Sequence, residues 1–94
     1  MKGHLYRITV EHLEDNKGNP VQKEPLSFEV KNHDDLHAIV ARVQQKGLFD
    51  ADESAALAIG LKLFREVMLH HRGHELFEKL DPHMSEFIKD FKQR

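Results

Sequence analysis

The chain has 94 residues, which is room for one domain and not for two cores of ordinary size. Its 14 Lys+Arg against 16 Asp+Glu give a formal net charge of −2, so its field neither gathers polyanions nor repels them, and nucleic acid is not an expected partner. The absence of Cys excludes disulfides, thiolate nucleophiles and cysteine zinc sites together; that suits a reducing compartment, and the cytoplasm is the expected location.

The opening MKGHLYRITV has no continuous apolar run and does not read as a signal peptide. The longest weakly polar stretch, AALAIGL, falls far short of the roughly 20 residues a membrane span needs. From Leu5 to Leu13 the residues alternate, with Tyr6, Ile8 and Val10 on one face and Arg7, Thr9 and Glu11 on the other, which is the period of a strand. PLSFEVK repeats the pattern through Leu26, Phe28 and Val30. Between these segments EDNKGNP carries turn chemistry, so an antiparallel hairpin is expected with its tip near Lys17 and Gly18. Pro25 cannot donate to a ladder and marks where the second strand begins or where an edge lies.

The period then changes. Leu36, Ile39, Val40 and Val43 fall at i, i+3, i+4 and i+7, the stripe of an amphipathic helix, with Asn32 or Asp34 able to cap its start and Gly47 its end. A second helix is expected to begin at Asp50, which has capping-box spacing to Glu53, and to run to Arg72. Its apolar stripe is Ala56, Leu57, Gly60, Leu61, Phe64, Val67 and Met68, widened by Ile59 and Leu63, and its length suits a central strut. After Gly73, ELFEKL can form a short helix, and Asp81 and Pro82 read as the N-cap and N1 of another whose apolar face is Met84, Phe87, Ile88 and Phe91. The fold class is α+β, an antiparallel β-hairpin followed by three helices (ββααα), the third open to being split, in a single domain over residues 1–94.

Chemistry in this chain rests on histidine. VMLHHRGHELF places His70, His71 and His74 within five residues, and on an unbroken helix His70 and His74 would lie one turn apart and could share a zinc ion. Gly73 argues against that, because a glycine just past a long apolar period is a stop signal that turns His74 away. His and Arg in a last turn also complement the helix dipole, so capping is the favoured reading. His33 and His37 form a second i, i+4 pair beside Asp34 and Asp35, with a solvated helix shoulder as the plain explanation. DADES resembles the opening of a calcium loop, but Ala55 and Leu61 stand where that loop needs Gly and Glu. Ser54 and Ser85 occupy early helical positions, and no glycine-rich phosphate loop occurs. No catalytic residue and no cofactor is assigned.

The runs MKGHLYRITVEHL, PLSFEVKNHDDL and ADESAALAIGLKLFREVML resemble a family of short bacterial proteins that carries only an unknown-function label. The resemblance covers nearly the whole chain. It implies a bacterial cytoplasmic setting and a compact α+β domain, and it brings no activity, ligand or catalytic residue with it.

A lone hairpin leaves two sheet edges to manage, and a helix apolar on most sides wants partners on most sides. The leading expectation is therefore a non-enzymatic accessory or regulatory module that acts through protein contacts as a homodimer. One alternative is a His-dependent metal-binding protein or enzyme, in which at least three of His33, His37, His70, His71 and His74 converge, with zinc as the metal. The other is a small-ligand binder whose pocket lies near Tyr6 and Phe64.

Overall fold

The computed structural model of the chain describes residues 2–94. Its contacts gather into two units, one ending at Asp35 and the other running Leu36–Arg94. The first unit is the expected hairpin: β1 (His4–Val10) pairs antiparallel with β2 (Leu26–Asn32). β2 begins immediately after Pro25, where a ladder donor is first available.

The register gives the hairpin two chemically distinct faces. Tyr6 opposes Val30, Ile8 opposes Phe28 and Val10 opposes Leu26 on one side. On the other, Arg7 bonds Glu29 at 3.0 Å and the hydroxyls of Thr9 and Ser27 meet at 3.0 Å, so the polar pairs lock the register that alternation alone proposes. The connection between the strands is also built from hydrogen bonds. Asp15 Oδ1 accepts the backbone N–H groups of Lys17 and Asn19, both at 2.9 Å, and the Gly18 N–H reaches the Asp15 carbonyl, which sets the tip where the turn residues predict it. At the base, Asn32 is 1% exposed and its side-chain oxygen accepts the N–H of Asp34, while the Tyr6 hydroxyl donates to the Asp34 carbonyl at 3.0 Å.

The second unit is helical: α1 (Leu36–Gln45), α2 (Ala51–His70), α3 (Glu75–Glu78) and α4 (Asp81–Gln93). The expected third helix is split at Lys79 and Leu80, just ahead of Pro82 in the first turn of α4. α1 and α2 pack on each other as an αα-hairpin, and Gln44 donates from α1 to the Ala51 carbonyl across the connection. Asp50 caps α2 by accepting the N–H of Glu53 at 2.8 Å.

Three expectations need correction. α2 ends at His70 and not at Arg72, because the backbone leaves the helix at His71 and turns left-handed at Gly73, φ 82°. Asp81 is the first residue of α4 and not its cap; its carboxylate bonds Arg65 of α2 at 3.0 Å, and Leu80 takes the cap position without a side-chain hydrogen bond. The stripe of α2 is also rotated. The buried positions are Ser54, Ala58, Glu66 and Met68, whereas Ala56, Gly60, Phe64 and Val67 are exposed. A helix apolar on most sides does not declare which side packing will select. Ser54 is fully buried and its hydroxyl bonds the Phe49 carbonyl, a first-turn role. Among the described residues no helix is long and apolar enough to cross a membrane.

Candidate functional site

The glycine that ends α2 builds a groove. Residues from the end of α2, from α3 and from the start of α4 enclose about 420 Å3, lined in part by Arg65, His71, His74, Glu78, Asp81 and Ser85. Two of the chain's eight histidines, His71 and His74, line it. His74 is the N-cap of α3: its Nδ1 accepts the N–H of Leu76 at 3.1 Å. A neutral ring that accepts at Nδ1 carries its proton on Nε2, so neither nitrogen has a lone pair to offer a metal while the cap is made. His71 is the C-cap of α2, its N–H reaching the Met68 carbonyl at 3.2 Å. The His71 and His74 rings meet edge to face at 6.4 Å between centroids, and His74 also contacts the ring of Phe77 at 6.3 Å.

His70 lies in the last turn of α2, ahead of the break. His33 precedes the helices and sits 3.5 Å from the Asp34 carboxylate, while His37 belongs to the first turn of α1. The five histidines are thus distributed over a strand exit, the start of one helix and both sides of a helix break. Among the described residues no group of three or more His, Asp or Glu is placed to hold a metal ion. Ser85 lines the same groove and makes no hydrogen bond to either imidazole among the described residues. Arg65 and Asp81, which both line the groove, pair with each other at 3.0 Å.

A second groove, of about 410 Å3, lies between α4 and the α1–α2 pair. Neither groove is lined by Tyr6 or Phe64, the residues around which a ligand pocket is expected from the sequence. The floor of this second groove is apolar, with Ile39, Leu61, Ile88 and Phe91 prominent. Its rim is Arg42, Lys46, Lys62, Arg65 and Lys92, and among the described residues no carboxylate lines it. Along the sequence these five cations form no cluster, since each lies on what looks like an ordinary solvated helix face or, as Lys92 does, near the negative end of a helix. The available signal is Arg42 and Lys46 at i, i+4, a like-charge pair that costs an isolated helix a few tenths of a kcal/mol.

A third feature belongs to the hairpin unit. On its apolar face Val10 is 52%, Leu26 64% and Phe28 42% exposed, and Leu13 just beyond the strand is 71% exposed. The sheet has two strands only, so among the described residues neither β1 nor β2 has a third strand beside it.

Comparison with known proteins places the chain in a family without assigning it an activity. A crystal structure of a protein of unknown function from Pectobacterium atrosepticum is similar, with 33% sequence identity, a TM-score of 0.84, and coverage of 99% of this chain and 100% of that one. No curated protein matches. The sequence profile described as "Domain of Unknown Function with solved-structure structure (DUF3861)" matches residues 4–93, nearly the whole of the hairpin-and-helix architecture, and the chain belongs to that family.

Proposed function

We propose that the protein is a non-enzymatic accessory or regulatory module of the cytoplasm that works through protein contacts, and that its first partner is a second copy of itself. The observation that supports this is the exposed apolar face of the hairpin. Val10, Leu26 and Phe28 lie on one side of a sheet that, among the described residues, has no third strand. Apolar side chains clustered on a sheet face beside open strand edges are what an isologous dimer covers, by bringing the same patch of each copy together. The opposite face, by contrast, carries the Arg7–Glu29 and Thr9–Ser27 pairs and a single large apolar side chain, Leu5.

Sedimentation equilibrium at tens of micromolar tests the proposal. The expected mass is twice 11.0 kDa. Phe28→Glu, which places a charge at the centre of the proposed contact and leaves the polar face intact, is expected to return the mass to that of one chain. A wild-type protein that sediments as a monomer overturns the dimer, and a Phe28→Glu variant that stays dimeric overturns this surface as its site.

A further inference from the structure

The groove between α4 and the α1–α2 pair has a chemistry that the dimer proposal does not use. Five of the chain's 14 cations stand around one opening, on a molecule whose net charge is −2. Arg42 lies in the last turn of α1, Lys46 just past its end, and Lys92 meets them from α4. Arg65 already has Asp81. Among the described residues Arg42, Lys46 and Lys92 have no carboxylate partner. The ammonium of Lys46 rests 5.5 Å from the centroid of the Phe91 ring, so a cation is held directly above the apolar floor.

We infer that this groove binds a small amphiphile: an anionic head, carboxylate or phosphate, carried on an apolar body. Each half of that ligand answers a separate feature. The head relieves the repulsion among Arg42, Lys46 and Lys92, and Arg42 offers the planar fork that fits a carboxylate or phosphate edge. The body removes Ile39, Leu61, Ile88 and Phe91 from water. The enclosed 410 Å3 falls at the small end of the roughly 300–1,000 Å3 typical of small-molecule sites, which suits a single short chain or ring. A polyanionic chain fits poorly, because it needs a track of cations along its length and this cluster converges on one apolar opening.

Sodium decanoate is the probe, titrated into the 15N-labelled full chain and followed by amide chemical shifts, with decanol, inorganic phosphate and phosphatidylglycerol vesicles as separate arms. The expected result is saturable shifts at Ile39, Leu61, Ile88 and Phe91, decanol weaker by about tenfold, and an affinity that falls with added salt. Lys46→Gln combined with Lys92→Gln, both at the groove rim, is expected to weaken decanoate by about tenfold while leaving decanol unchanged. The inference is overturned if decanol binds as well as decanoate, or if shifts centre on the exposed hairpin residues Val10 and Phe28. It is also overturned if phosphate alone accounts for the binding, or if vesicles capture the chain while decanoate shifts nothing. The wild-type comparison of decanoate with decanol decides the matter even if the double variant misfolds.

Discussion

The hairpin unit and the helical unit reach order by different means. In the hairpin the most buried side chain is polar, Asn32 at 1% exposure, and large apolar residues such as Leu5 and Leu26 stand in solvent at 62% and 64%. Its geometry is carried by paired hydrogen bonds: the strand ladder, the Arg7–Glu29 and Thr9–Ser27 rungs, and the Asp15 loop. In the helical unit Leu36, Val43, Ala58 and Met68 are all at most 5% exposed, and caps and glycines only decide where each helix stops. Local polar geometry thus specifies the first unit and burial specifies the second. Both units also expose large apolar side chains, Phe64, Val67 and Leu76 among the helices as well as Val10 and Leu26 in the hairpin, so what separates the units is the buried set that the helices have and the hairpin lacks.

The sharpest way to break this comparison is one substitution made twice. Leu36→Ala removes a side chain that is 3% exposed and is expected to cost about 2–5 kcal/mol, through lost burial and the cavity left behind. Leu5→Ala, at a site 62% exposed on the polar face of the hairpin, is expected to cost no more than about 1 kcal/mol, the span of strand propensity. Urea unfolding of the two variants measures both. Equal costs would mean that the hairpin depends on its apolar side chains as much as the helices do.

Glycine gives a smaller effect, and one of opposite sign at two places in the same helical unit. At Gly73, φ 82°, an alanine must adopt a left-handed conformation, and Gly73→Ala is expected to destabilise by about 1–2 kcal/mol. Gly60 lies inside α2, where an added methyl group meets nothing within 4 Å, so Gly60→Ala is expected to stabilise by roughly 0.5–1 kcal/mol. Thermal unfolding reports both signs. A neutral Gly73→Ala would show that α2 does not need that glycine to end, and the separation of His70 from His74 would lose its physical cause.

These positions also show how far the sequence is legible. Strand alternation, the turn at EDNKGNP, the Asp50 cap and the stop at Gly73 are short-range signals, each fixed by a few neighbouring residues, and the structure contains all of them. What escapes depends on the meeting of distant segments. Asp81 reads as a cap until Arg65, 16 residues earlier, takes its carboxylate. The stripe of α2 reads as Ala56, Leu57, Gly60, Leu61, Phe64, Val67 and Met68. Packing buries Met68 as expected, half-buries Leu57 and Leu61, leaves Ala56, Gly60, Phe64 and Val67 exposed, and buries Ser54, Ala58 and Glu66, which the pattern does not mark. The basic rim joins Arg42, Lys62 and Lys92, which are unrelated along the chain and become a feature only when α1, α2 and α4 surround one opening.

The smallest effect concerns the polar order of the hairpin directly. The Asp15 carboxyl is held below the ordinary aspartate range, chiefly because it accepts the Asn19 backbone N–H and then that of Lys17. A folded-state pKa lower than the unfolded one means that the loop's contribution is fully present above the unfolded value and is lost as pH falls through the lowered folded value. Because the Asp15 carboxylate is bonded, among the described residues, only within its own loop, the expected consequence is local: amide resonances of Lys17 and Asn19 shift together in an NMR titration, at a pH below that of an unperturbed aspartate, while α2 amides stay in place. Asp15→Asn keeps an acceptor oxygen but removes the charge, and it is expected to abolish that titration and leave the strand register unchanged. If the amides of Lys17 and Asn19 titrate at the ordinary aspartate value, the bonds to Asp15 do not favour its charged form, and the hairpin tip owes its shape to Gly18 and the ladder alone.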